Sequence, residues 1–338
     1  MTGLGTGAAI FGCAGPVLGP DERAFFAEAD PFGFILFARN VETPDQLRRL
    51  TGDLRDAIGR DAPILIDQEG GRVQRMRAPH WREWLPPLDQ VERAGAGAER
   101  SMWLRARLIA AELRQVGIDA NCAPCADIAG PLTHPFLQNR CYGRDAATVT
   151  RMARAVAQGH LAGGVLPVVK HLPGHGRATA DTHLHLPTVQ EDAATLRVTD
   201  FAPFRALNDL PMAMTAHIVF AAYDSEHPAT QSPRMIDLIR TEIGFQGLLM
   251  TDDLNMQALS GDLAARTRAA RAAGCDIALH CNGDLGEMQA VAGAAGTMSA
   301  ATLDRAAAAL AQRRPPEAAD LEALYAECAA LLDSPSHG

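Results

Sequence analysis

Short apolar runs alternate with longer amphipathic stretches along this chain. Eight runs have the length of a strand apolar on both faces: Ala8–Gly12, Gly33–Phe37, Ile64–Asp67, Ile118–Ala123, Leu166–Lys170, Ala213–Ala216, Gly247–Thr251 and Asp276–Cys281. That is the habit of parallel sheets. Between them the spacing becomes helical. Glu99–Val116 carries Met102, Leu104, Leu108, Ile109 and Leu113 at mixed spacing, with Leu104–Leu108 and Ile109–Leu113 each four apart. Asp145 can cap a helix running to His160, and Ser232 stands before Pro233 at the start of Met235–Ile243. Asp262 and Ser299 are further cap candidates. Eight strands, each followed by a connection, predict an α/β fold: a single-domain (β/α)8 TIM barrel, with an irregular strand allowed at one position. A doubly wound sheet is the alternative. The barrel is placed at residues 1–315. Residues 316–338 are read as a C-terminal helix packed on it, with Leu321, Leu324, Tyr325, Cys328, Leu331 and Leu332 on one stripe.

Composition narrows the class. The chain has 338 residues, which is either two domains at roughly 150 residues each or one barrel of about 250 or more. Hydrophobic residues are 47% and charged residues 21%, which is globular usage. Lys+Arg is 31 against Asp+Glu 40, a net charge of −9, so nucleic acid and anionic membranes are not expected partners. Seven cysteines, an odd and scattered set, point to reduced thiols and a cytoplasmic location. No apolar run reaches the ~18 residues of a membrane span. The first stretch lacks Lys or Arg before its short apolar run, so it reads as a buried strand rather than a signal peptide. A monomer is expected, with a subunit contact through the tail stripe as the alternative.

Polar residues gather where the apolar runs end, and in a barrel chemistry gathers at that face. The third run ends at Asp67, the fifth at Lys170 and His171, the sixth at His217, and the seventh at Asp252 and Asp253. Asp252 sits on a rigid element, as a nucleophile or ligand must. Asp253 reads as a cap for Leu254–Leu259. Lys170 and His171 suit hydrogen bonds to a polyhydroxylated ligand. The segment Lys170–His185 holds His171, His175, His183 and His185. One reading is a metal site through the His183/His185 pair; the other is acid/base work by one histidine. Asp181 beside His183 favours the second, because a carboxylate stabilises imidazolium and brings its titration near neutrality. Gly174 and Gly176 flank His175, so the segment to His183 is expected to move over the site. Cys122 and Cys125 have the spacing of a redox or metal pair, but read as buried thiols.

These segments resemble the single-domain bacterial β-N-acetylglucosaminidases of glycoside hydrolase family 3, the type that serves peptidoglycan recycling. The matching segments are GFILFARNV (Gly33–Val41), IDQEGGRVQR (Ile66–Arg75), NCAPCADI (Asn121–Ile128), QNRCYG (Gln138–Gly143), KHLPGHGRATADTH (Lys170–His183), MTAHIVF (Met214–Phe220) and GFQGLLMTDDLNM (Gly244–Met256). The resemblance implies a barrel and a retaining glycosidase, which removes terminal β-linked N-acetylglucosamine from muropeptide fragments through a covalent glycosyl-enzyme. It implies Asp252 as nucleophile, His183 as general acid/base, and Asp181 as the group orienting His183. It also implies that Asp67, Arg75, Arg140, Lys170 and His171 bind the sugar, and that no metal or cofactor takes part. Cys141 and Tyr142 follow Arg140 where Ser-Phe is more usual, and Leu172 replaces a frequent aromatic. The alternatives are a family 3 phosphorylase or other β-glycosidase, a metal-dependent barrel hydrolase, and a non-catalytic sugar-binding protein.

Overall fold

The eight apolar runs become eight strands of one parallel sheet in a computed structural model that describes residues 3–131, 133–178 and 186–333. They are β1 (Gly7–Gly12), β2 (Pro31–Leu36), β3 (Ile64–Ile66), β4 (Ala120–Asn121), β5 (Leu166–Leu172), β6 (Met212–Thr215), β7 (Leu248–Met250) and β8 (Ala278–His280). Their order is β7-β6-β5-β4-β3-β2-β1-β8, so every neighbour but one is also a neighbour in sequence. The two ends, β7 and β8, meet through a parallel bridge from Met250 to Ile277. The Thr251 N–H donates to the Ile277 carbonyl at 3.0 Å across the same seam. The sheet is therefore nearly closed and barrel-like. The doubly wound alternative, with its reversal of strand order, does not describe it.

Apolar side chains fill both faces. Ile10, Phe11, Phe34, Leu65, Val168, Met212 and Leu249 are fully buried or nearly so. Phe26, on the helix Pro20–Ala29, meets Phe34 of β2 edge-on at 5.0 Å between ring centroids. The irregular strand is β4, shorter than its apolar run. Pro124 has no N–H to give the ladder, which resumes at an isolated bridge between Cys125 and Lys170. Strand β5 carries its own irregularity: its register against β6 shifts between Val169 and Leu172. Lys170 and His171 consequently both line the same cavity, where strict alternation would separate them.

The helix starts follow the caps read from sequence. Asp145, Ser232, Asp262 and Ser299 each accept an N–H from the first turn. Ser232 is buried, accepts from Met235 N–H at 3.1 Å and donates to Asp224 at 2.6 Å. Ser232→Ala should therefore cost about 1–2 kcal/mol, read as a lower urea midpoint with an unchanged slope.

At the face opposite the strand ends, two buried aspartates clasp adjacent strands. Asp119, before β4, accepts the Ile64 N–H of β3 at 2.8 Å and pairs with Arg55 and Arg313. Asp276, before β8, accepts the Leu249 N–H of β7 at 3.0 Å and pairs with Arg240 and Arg305. The helix Leu321–Asp333 lies against the helices Ala98–Gln115 and Pro87–Ala94. It buries Cys328, and Glu327 takes a two-pronged hydrogen bond from Arg100 at 2.7 and 2.8 Å. Among the described residues no helix is long and apolar enough to cross a membrane.

Candidate active site

At the carboxyl ends of the strands, side chains from β5 and from the segments after β3, β4 and β7 converge on one cavity. Asp67, Arg75, Arg140, Lys170, His171 and Asp252 all line it. Just beyond β3 the chain makes a small hairpin, Gln68–Gly70 against Val73–Gln74. Gly70 and Gly71 turn it at φ 106° and 58°, conformations that suit glycine. The hairpin brings Arg75 back beside Asp67.

A five-membered charge network forms the cavity floor. Lys170 Nζ reaches Asp67 at 2.8 Å and Glu69 at 2.6 Å. Arg75 donates to the other oxygen of Asp67 at 3.0 Å. Arg140 grips Glu69 with two hydrogen bonds, 2.9 and 2.8 Å. Burial opposes ionisation of Glu69, yet Arg140 and Lys170 bring its carboxyl down to about 2. Asp67 is buried too, and Lys170 and Arg75 hold it well below the usual carboxylate range. Burial would discharge Lys170, but its two carboxylate partners keep it charged to higher pH than usual. Every charge on this floor has a fixed partner, so its donors and acceptors are preorganised.

A second cradle forms on Asp127, beyond the break in β4. One carboxylate oxygen accepts the N–H of His175 at 2.7 Å and of His171 at 3.3 Å. The other lies 2.7 Å from Nδ1 of His171, which fixes that ring at the cavity wall. Gly176 packs so close to the Ile128 carbonyl that a Cβ would collide with it. Residues 179–183, the rest of the segment expected to move, lie outside the described residues, whereas 171–178 are tied down. Backbone hydrogen bonds to a buried carboxylate and tight glycine packing are the reason. Burial and the nearby His171 bring His175 down to about 4, so it is neutral at pH 7.

Asp252 follows β7 at the cavity. Burial disfavours its charge, but His171 and His217, the Asp253 N–H at 2.8 Å and Lys170 together hold its carboxyl below the usual range. It is an anion at neutral pH, as a nucleophile must be. Behind it, His217 is buried between the Thr230 hydroxyl at 2.8 Å and the Asp253 carbonyl at 3.0 Å. Asp253 departs from its reading as a helix cap. No helix follows it; its carboxylate accepts the N–H groups of Asn255 and Cys281, and it lines the cavity beside Asp252. Burial pushes Asp253 up to about 6, and the neighbouring Asp252 charge adds to this. Its folded value lies above the unfolded one. Its contribution to stability is complete below about pH 3.9 and lost as pH rises through 6. Asp253→Asn should remove that loss. The melting temperature of the variant should gain on wild type between pH 4 and 7.5, by the equivalent of about 2 kcal/mol.

Comparison with known proteins decides the lineage. The family model described as the glycosyl hydrolase family 3 N terminal domain matches residues 21–312. The chain belongs to glycoside hydrolase family 3. A β-hexosaminidase of Methylococcus capsulatus is 38% identical over 282 residues, covering 81% of this chain and 82% of that one. Among solved structures, NagZ from Neisseria gonorrhoeae superposes with a TM-score of 0.80 at 28% identity, covering 98% and 99% of the two chains. A family 3 β-N-acetylglucosaminidase from Paenibacillus superposes at 0.81 with 30% identity. This chain spans 62% of that longer protein.

In this family 3 chain, six of the eight residues singled out from sequence meet in one cavity. The other two, Asp181 and His183, lie outside the described residues. Sequence reasoning missed Glu69 and Asp127. Glu69 is two residues from Asp67 on an extended segment, so the two share a face, and that spacing was the available signal. Asp127 follows an apolar run that the sequence reads as ending at Ala123, so its place at a strand end was hidden. All seven cysteines of this family 3 chain are free and buried, including Cys122 and Cys125.

Proposed function

We propose that this glycoside hydrolase is a retaining β-N-acetylhexosaminidase that removes terminal, non-reducing β-linked N-acetylglucosamine from soluble cell-wall fragments in the cytoplasm. Its sheet is assigned as a (β/α)8 barrel that serves as the whole catalytic unit. Asp252 attacks the anomeric carbon while the glycosidic oxygen takes a proton from His183 and departs. The resulting glycosyl ester is then opened by water, which gives its proton back to His183. Asp181 orients the imidazole and stabilises its charged form. Asp67, with its second oxygen turned by Arg75, accepts hydrogen bonds from sugar hydroxyls. Arg75, Arg140, Lys170 and His171 fix the ring against the floor.

The observation that carries the reading is Asp252: a carboxylate kept ionised at the same cavity as a floor of ion-paired side chains. Such a floor can distinguish hydroxyl positions, because Arg75 Nε is buried without a partner among the described residues, and a sugar lacking the hydroxyl that meets it leaves it so. The test is a slow 5-fluoro N-acetylglucosaminyl donor with a good leaving group, followed by peptide mapping. The label is expected on Asp252. A label on another carboxylate, or turnover with no trapped ester and inverted product, overturns the assignment.

A further inference from the structure

Behind the cavity floor, one arginine is buried without an acidic partner. Arg105 lies on the helix Ala98–Gln115 and is 2% exposed. Among the described residues it forms no ion pair with a carboxylate, and burial brings it down to about 10, so it is still charged at neutral pH. Its guanidinium is spent on neutral oxygens instead. Nη2 donates to the Glu69 carbonyl. Nη1 donates to Gln90 Oε1 at 2.6 Å, and Gln90 Nε2 donates in turn to Ser101 Oγ at 2.8 Å. The guanidinium carbon stands 5.8 Å from the centre of the Trp84 ring. The approach to the hairpin is so close that a Cβ on Gly70 would collide with Nη2.

We propose that Arg105 is a positioning residue for the sugar-facing floor, aiming the Glu69 carboxylate at Arg140 and Lys170 by holding the Glu69 main chain from behind. The inference deepens the glycosidase reading and rests on it. The geometry is that of two pinned peptide planes. The Gln68 carbonyl, in the plane before Glu69, accepts from Asn121 Nδ2 at 3.0 Å. The Glu69 carbonyl, in the plane after it, accepts from Arg105. Each peptide is rigid, so fixing the planes on both sides of a Cα fixes the direction of its side chain. The Glu69 side chain leaves in that direction and meets Arg140 at 2.8 and 2.9 Å and Lys170 at 2.6 Å.

Arg105 acts here through the backbone rather than by its charge. Arg140 and Lys170 are the groups that hold Glu69 ionised. A packing role alone would be met at lower cost by Met or Leu, because a buried charge without an acidic partner is expensive. The planar fork is what the place requires: one arm takes the Glu69 carbonyl while the other is anchored on Gln90. Gln90 belongs to the helix Pro87–Ala94, whereas Ser101 and Arg105 lie one turn apart on Ala98–Gln115. The helix Leu321–Asp333 packs on both of these helices, so the anchor stands on rigid elements.

The experiment measures KM and kcat of the full chain on an aryl N-acetyl-β-glucosaminide, well below the melting midpoint of each variant. Arg105→Lys keeps the charge and loses the fork. It should raise KM about tenfold and change kcat by less than about threefold, because the floor meets the sugar in ground and transition state alike. A purely structural arginine would lower the melting midpoint and leave the KM of the folded enzyme alone. A KM within about threefold of wild type overturns the proposal, and so does a loss carried by kcat, which would move Arg105 to the chemical step. Gln90→Met removes the anchor and keeps the arginine. It should show the same split, and it decides the matter where Arg105→Lys does not fold; an unchanged KM there overturns the proposal. A wild type without turnover defeats the glycosidase reading, and urea unfolding then tests the positioning by itself. Arg105→Lys combined with Glu69→Gln should depart from additivity by at least about threefold in the unfolding constant. Additive losses overturn the proposal.

Discussion

Asp252→Asn should lower kcat/KM for an aryl N-acetyl-β-glucosaminide by at least about 10⁴-fold, equivalent to about 5 kcal/mol of lost transition-state stabilisation. An amide is a poor nucleophile, and no other described carboxylate can replace it. Asp67 and Glu69 are committed to Lys170, Arg75 and Arg140, and Asp127 is committed to His171 and His175. Asp253 lines the cavity, but its ladder of N–H bonds aims it at Asn255 and Cys281. The fold should survive, because Asn at 252 can still accept the Asp253 N–H. Substrate binding measured by KM, or by a non-hydrolysed analogue, should change far less than kcat. A variant that keeps more than a tenth of wild-type kcat would remove Asp252 from the chemistry.

Glu69→Ala should produce the largest stability loss, about 3–5 kcal/mol at pH 7, because it leaves Arg140 and Lys170 buried with part of their pairing gone. The pH dependence has a definite sign. The folded Glu69 titrates at about 2, below its unfolded value of about 4.3, so the folded state binds fewer protons. Its contribution is complete above the unfolded value and is lost as pH falls through 2. Urea midpoints should therefore separate wild type from Glu69→Ala fully at pH 7 and less at pH 3. Equal gaps at both values would show that the pair adds packing alone. Activity should fall as well, since Arg140 and Lys170 are positioned through Glu69.

Much of this was legible in the sequence, and the reasons differ by element. Strands buried on both faces must be apolar throughout, so all eight announced themselves. Helix starts were equally visible at Asp145, Ser232, Asp262 and Ser299, where capping chemistry is local. The residues at strand ends were found because a polar group after an apolar run is conspicuous. What stayed hidden depended on contacts distant in sequence. Glu69 is defined by Arg140, 71 residues away, and Asp127 by His171, 44 residues away. Asp253 was misread because its partners lie in a turn and at Cys281, across the seam.

The two aspartate clasps mark seams on opposite sides of the sheet. One joins β3 to β4 and the other joins β7 to β8. They divide the barrel-like sheet into two half-shells of four strands each, β8-β1-β2-β3 and β4-β5-β6-β7. Asp67, Glu69 and Arg75 belong to the first half; Arg140, Lys170, His171 and Asp252 belong to the second. Ion pairs of the cavity floor bridge the first seam at one end, while Asp119 bridges it at the other. Neither half-shell carries a balanced set of charges at this edge until it meets its counterpart. Closing the shell and completing the sugar-facing floor are thus one event, and a chain that mispairs its halves cannot display a finished site.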